Sequence, residues 1–193
     1  MGKTRLEAFS DGVLAIIITI MVLQLKVPHD HEITALIPLL PVVLSYILSF
    51  VYVGIYWNNH HHMLHTVEKV SGGILWANLH LLFWLSLLPF ATAWMGENHF
   101  VPVPVALYGV VLLMAATAYW LLQEMIIASQ GKGSLLARAV GKDLKGKSSL
   151  LIYALAIPLA FQDAWISKIL YILVALLWLV PDRRIERVLE VLH

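Results

Sequence analysis

The chain has 193 residues, of which 60% are apolar and 13% carry a charge, for a formal net charge of +1. A water-soluble domain is nearer half apolar and a quarter charged, so this composition and a mean hydropathy of +0.81 identify a polytopic membrane protein. Spans of about 20 residues leave no length for a catalytic ectodomain, near-neutral charge gives no field for gathering nucleic acid, and the absence of cysteine removes disulfides, thiolate nucleophiles and iron–sulfur sites.

Uncharged stretches mark the spans. The first runs from about Arg5 to Leu25 and ends at the polar breaker Lys26, Val27, Pro28, His29, Asp30. No small-residue cleavage site follows its apolar stretch, so it reads as a retained helix and not a signal peptide. The second extends from about Ile33 to Trp57, with Pro38 and Pro41 in its first turns, where proline is tolerated. The third, about Val70 to Met95, opens at Ser71, Gly72, Gly73 and closes at Gly96, Glu97, Asn98. The fourth covers about Pro104 to Ile127. Between Gly131 and Lys147 the glycines and lysines read as a flexible connector facing lipid headgroups. Two shorter spans follow, Ser148 to Phe161 and Ser167 to Val180. At about 1.5 Å per residue each is short for a bilayer, so local thinning or flanking residues must make up the difference. The expected fold is an all-α polytopic membrane protein, with residues 1–193 forming a single domain of six transmembrane helices.

Lys and Arg accumulate in short cytoplasmic loops, which gives an independent check on the span count. With both termini cytoplasmic, Lys3, Arg5, Lys69, Lys132, Arg138, Lys142, Lys145, Lys147, Arg183, Arg184 and Arg187 fall inside, and only Lys26 and Lys168 fall outside. Eleven of thirteen basic residues on one side is consistent with an even number of spans.

The residues inside the spans carry the functional signal, because intramembrane polar groups are costly and mark a pathway or a buried lock. They are densest at the start of the first span: Arg5, Leu6, Glu7, Ala8, Phe9, Ser10, Asp11, Gly12. The pattern Arg-x-x-x-Phe-Ser-Asp, followed by an Ile-rich helix and a Leu-Lys-Val-Pro exit, resembles the signature of the endolysosomal potassium channels and their single-repeat prokaryotic relatives. The resemblance extends to Tyr56, Trp57, Asn58, Asn59, His60, His61 at the end of the second span, and to Asn78, Leu79 and Leu87, Leu88, Pro89, Phe90 in the third.

The resemblance implies a potassium-selective cation channel in a prokaryotic cell membrane, with no enzymatic activity and no cofactor. Single repeats would assemble as a homotetramer, the first helix of each subunit lining the pore and K+ the only ion held. The Thr-Val-Gly-Tyr-Gly filter of ordinary potassium channels is missing here, as it is from that family. Carried over by position after Asp11, the apolar constriction falls on Ile16, the polar selectivity layer on Thr19, and a further narrowing on Ile20 and Leu23. Arg5, Phe9, Ser10, Asp11, Trp57, His60, His61, Asn78 and His80 are expected to form the network that locks the first helix against the second and third.

Helical geometry bears on the same residues without the family. At about 100° per residue, Phe9, Gly12, Ile16, Thr19, Ile20 and Leu23 share one stripe about 100° wide, from which Ser10 and Asp11 point away. Ser10 and Asp11 therefore face neighbouring helices if the stripe lines a pore. Among the histidines, His61 and His65 stand at i and i+4, a spacing that can hold zinc, but no Glu follows in the His-Glu-x-x-His sense and the chain has no cysteine, so no metal site is expected. Either His60 or His80 could join the Ser10 and Asp11 network. A secondary transporter is the alternative, kept open by Pro158 in the fifth span. An intramembrane enzyme would need a nucleophile or paired acids at depth, and Asp11 and Glu124 are too isolated to supply them.

Overall fold

The computed structural model describes residues 2–131, 133–141 and 143–179, and these are helical almost throughout. In chain order the elements are α1 (Lys3–Leu23), a 3-10 helix (Ile33–Leu39), α2 (Leu40–His65), α3 (Gly72–Ser86), α4 (Leu88–Glu97), α5 (Pro102–Gln130), α6 (Leu135–Val140), α7 (Leu144–Leu159) and α8 (Ala164–Leu179). Four stretches among the described residues are long and apolar enough to cross a membrane: Lys3–Leu23, Ile33–His65, Gly72–Glu97 and Pro102–Gln130. The helices expected as the fifth and sixth spans, α7 and α8, are 16 residues each.

Proline explains where the helices depart from the expected boundaries. The second span is not one helix from Ile33: Pro38 lies in the 3-10 segment, Pro41 in the first turn of α2, and the α-helix then runs on past Trp57 to His65. Two missing N–H donors in neighbouring turns favour the tighter 3-10 pattern before a regular ladder is established. The third span is divided at Leu87, where Pro89 opens α4. Pro102 likewise starts α5 directly after Val101.

The stretch expected as a flexible connector is largely helical. The Ser134 hydroxyl accepts the Ala137 N–H and caps α6, whose Leu136 and Ala139 are buried. Asp143 caps α7 through the Gly146 N–H at 3.1 Å, so that helix begins before Ser148. The glycines and lysines gave a loop reading because the burial that stabilises α6 comes from packing against α5. Lys132, Lys142 and the segment 180–193, with its three arginines, lie outside the described residues.

The longest helix, α5, is the spine of the bundle, packing against α3 and α4 on one side and α7 and α8 on the other. α1 lies on one flank against α2, α3 and α4. Buried hydroxyls stitch the interior: Ser49 bonds Thr92 at 2.6 Å and Tyr108 at 3.0 Å, and Tyr153 donates to Tyr52, which donates to the Tyr171 carbonyl. Among the described residues no buried side-chain nitrogen or oxygen lacks a partner, as a lipid-embedded protein requires.

Close approach of backbones decides one crossing. A Cβ at Gly96 would lie 2.7 Å from the Cα of Val42 and also against the Ser45 hydroxyl. α4 can therefore meet the start of α2 only through glycine. Gly96→Ala should force these helices apart and cost roughly 1–3 kcal/mol, read as a lowered thermal unfolding midpoint of the purified protein; an unchanged midpoint would show that the crossing relaxes freely.

Candidate functional site

α1 has two faces of different character. Leu6, Ser10, Leu14, Ile17 and Met21 are buried at spacings of three and four residues, which sets one side of the helix against α2, α3 and α4. On the other side Phe9, Ile16, Ile20 and Leu23 are 48%, 59%, 42% and 76% exposed, and Gly12 and Thr19 are exposed between them. In a single chain this stripe has no covering element. Thr19 is its one side-chain oxygen, and its hydroxyl donates to the Ala15 carbonyl at 2.9 Å. That bond uses the hydroxyl proton and leaves the oxygen lone pairs available outside the helix.

The buried face is held by a directional chain of hydrogen bonds. The Ser10 hydroxyl donates to the Leu6 carbonyl at 2.9 Å, and the Asn78 amide NH2 donates to the Ser10 oxygen at 3.0 Å. The Asn78 oxygen stands 2.7 Å from His60 Nε2. Because that oxygen only accepts, His60 must carry its proton on Nε2 in this arrangement. Ser10, Asn78 and His60 are all buried, so α1, α2 and α3 are joined through one amide. One residue further along α1, Asp11 accepts the Trp57 indole N–H at 3.0 Å and gives a second tie to α2.

The remaining motif residues are arranged around this centre. His80 accepts the Trp84 indole N–H at 2.9 Å within α3 and takes no part in the Asn78 chain. His61 stacks on Trp57 and lies with its ring centre 5.7 Å from that of His65. Among the described residues no group of three or more His, Cys, Asp or Glu side chains is placed to hold a metal. Arg5 is exposed, and no side-chain hydrogen bond or ion pair joins it to the other motif residues.

Two contacts at the ends of α1 have no counterpart in the sequence reading. Lys3 Nζ donates to the His65 carbonyl at 2.7 Å, placing a cation at the C-terminal end of α2, where helix carbonyls are unpaired. At the other end Lys26 pairs with Glu97, which terminates α4, at 2.7 Å. The signal was present in outline, since these lysines bracket the first span, but their partners are far away in the chain.

A helical membrane protein with one uncovered helix face and a polar lock behind it is the class the geometry defines. The family model described as endosomal/lysosomal potassium channel TMEM175 matches residues 5–89, which span α1 to the start of α4 and contain the whole Ser10, Asn78, His60 and Asp11, Trp57 arrangement. A protein named a potassium channel from Chryseobacterium sp. (strain P1-3) is 57% identical over 190 residues, covering 98% of this chain and 99% of the relative. The crystal structure of a protein described as a lysosomal potassium-selective channel TMEM175 homolog from Chamaesiphon minutus superposes with a TM-score of 0.81 at 27% identity, covering 93% of this chain and 97% of that one. The human protein named endosomal/lysosomal proton channel TMEM175 is 33% identical over 103 residues, or 47% of this chain and 20% of its own length. The chain belongs to the TMEM175 family of membrane ion channels.

The Asn78 amide is the joint of the lock, and its removal has a measurable cost. Asn78→Leu keeps a similar volume but leaves the His60 N–H without its acceptor in a buried site. This change should destabilise the protein by roughly 1–3 kcal/mol and reduce the yield of assembled protein in gel filtration. Wild-type unfolding and assembly in that variant would mean the lock contributes little.

Proposed function

We propose that this chain is a potassium-selective cation channel, assembled as a homotetramer around a central pore lined by α1 of each subunit. The supporting observation is the uncovered stripe of α1: it is narrow, apolar apart from Thr19, and turned away from every helix of its own chain. Lipid could cover such a face. Four copies meeting at an axis cover it as well, and they also bring four Thr19 hydroxyls to one level, which lipid contact leaves without a role.

On this reading each subunit crosses the membrane six times, with both termini cytoplasmic. α7 and α8, at 16 residues and about 1.5 Å per residue, complete their crossings with flanking side chains. Lys168 at the start of α8 rests its ammonium 3.2 Å from the Trp165 ring centre and 4.4 Å from that of Phe100, a placement suited to the membrane interface.

Ions moving along the axis meet Thr19, with Ile16 on one side and Ile20 and Leu23 on the other. A ring of Ile16 side chains resists ions because it expels water and offers no ligand to a cation that must shed part of its shell. A ring of Thr19 oxygens partly replaces that shell, a task easier for potassium than for the smaller, more tightly hydrated sodium ion. Ser10, Asp11, Trp57, His60 and Asn78 hold α1 in register and stay off the pathway. The human relative is named a proton channel, so reversal potentials measured across separate potassium and proton gradients are the direct test of which ion this chain conducts.

Two substitutions examine the pathway. Ile16→Asn keeps similar bulk and supplies amide dipoles that hold water, so single-channel current in planar bilayers should rise and rejection of other cations should weaken, with assembly intact. Equal conductance in a well-assembled variant would remove Ile16 from the constriction. Thr19→Val keeps the shape and removes the hydroxyl ring; potassium preference over sodium should fall while conduction survives, and an unchanged reversal potential in mixed potassium and sodium would take Thr19 out of the selectivity layer.

A further inference from the structure

The first turn of α1 runs against the local electrostatics of a helix. A helix N-terminus carries a partial positive charge, which favours acids there and disfavours cations. α1 has no acid in its first turn and no side-chain cap, yet both Lys3 and Arg5 stand in that turn. Lys3 is compensated, because its ammonium donates to the His65 carbonyl at the end of α2. Arg5 is exposed and, among the described residues, makes no side-chain hydrogen bond or ion pair.

Its direction is set by the helix. At about 100° per residue Arg5 lies about 20° from Ile16, within the stripe that holds Phe9, Thr19 and Leu23, and one turn ahead of Phe9. The other charges of α1 leave that side. Lys3 and Glu7 are each about 160° from Arg5, and Asp11, about 120° away, accepts the Trp57 indole N–H. Arg5 is therefore the one charged side chain on the uncovered face of α1, roughly 16 Å along the axis from Ile16.

We propose that the Arg5 guanidiniums of the four subunits form a cationic ring at the cytoplasmic mouth of the pore and limit the supply of potassium from that side. This inference rests on the channel reading above. A guanidinium stays charged throughout the physiological pH range. Four of them around one axis, reinforced by four helix N-termini, set a positive potential that lowers the local concentration of cations. Outward current is drawn from the cytoplasmic mouth, so the ring reduces it more than inward current and the pore rectifies inwardly with no moving part. Membrane orientation asks only for basic residues on the cytoplasmic side. It does not ask for one on this stripe, so topology alone leaves the direction of Arg5 without a role.

The chain has no cysteine, so Arg5→Cys supplies a lone thiol in each subunit whose charge can be reset after assembly. Single channels in planar bilayers at about 0.1 M potassium, where the screening length is about 10 Å, should pass an outward current about twofold larger in Arg5→Cys than in wild type, with inward current changed less. Trimethylammonioethyl methanethiosulfonate on the cytoplasmic face should return the variant to wild-type rectification, and sulfonatoethyl methanethiosulfonate should raise its outward current further. At about 1 M, where screening reaches about 3 Å, all forms should converge, and the rectification of wild type itself should fade. The reagents act on channels already assembled and conducting, so a folding defect cannot produce this pattern. Currents indifferent to the charge at position 5, with thiol modification confirmed by mass, would overturn the proposal and leave the channel reading standing. Wild-type currents that do not rectify inwardly at about 0.1 M, or whose rectification ignores salt, would do the same. A wild-type protein that carries no potassium current would overturn both.

Discussion

The Asn78 amide fixes the arrangement of the first three helices. It is wholly buried, it donates to Ser10 on α1, and it accepts from His60 on α2. These groups are buried, so an amide or imidazole N–H left unused there costs about 1–3 kcal/mol. α1, α2 and α3 therefore cannot rotate or slide past one another without leaving one of these groups unpaired. Everything else about α1 follows from that restriction: once Ser10 faces inward, Leu14, Ile17 and Met21 follow it into the interior, and Ile16 and Thr19 are left outside.

Much of this was legible in the sequence, and the parts that were not share a physical cause. The stripe of α1 follows from 100° arithmetic, because an uninterrupted helix of 21 residues has no freedom to depart from it. The inward direction of Ser10 follows from the same arithmetic. The identity of its histidine partner does not. His60 and His80 are both on helices that touch α1, and the choice depends on matching depth across two helix crossings, a quantity absent from local pattern. His80 has in addition a local alternative, since Trp84 lies one turn away on the same helix and supplies a donor. Helix ends were misread for a related reason. The glycines at 131, 133, 141 and 146 have weak intrinsic helicity, and the burial of Leu136 and Ala139 and the caps at Ser134 and Asp143 offset it.

The two flanks of the bundle use polar groups differently. Beside α1 they form a chain that ends on a backbone carbonyl of the same helix. Beside α7 and α8 the tyrosine hydroxyls also end on a backbone carbonyl, but Tyr52 and Tyr153 border a small aromatic-lined pocket. A packed lock can transmit a displacement from one helix to the next because cores are close to incompressible. A cavity absorbs such a displacement. The flank bearing α1 is thus the stiff one, and it is the flank that the proposed pore requires to be stiff.

That stiffness matters because α1 is a regular helix from Lys3 to Leu23, so nearly all its backbone carbonyls are consumed within the helix and are not offered to an ion. An ion passing along α1 meets side chains alone, and among Phe9, Gly12, Ile16, Thr19, Ile20 and Leu23 only Thr19 carries oxygen. Selection in the proposed pore then rests on the distance between hydroxyls from different subunits, which changes with any rotation of α1. Turning α1 far enough to move Ile16 off the axis also carries Ser10 away from Asn78, six residues earlier on the same rigid rod. Opening such a pore must therefore proceed by tilting or spreading whole subunits with the Asn78 joint intact, or else break that joint and expose the cost of a buried, unpaired amide.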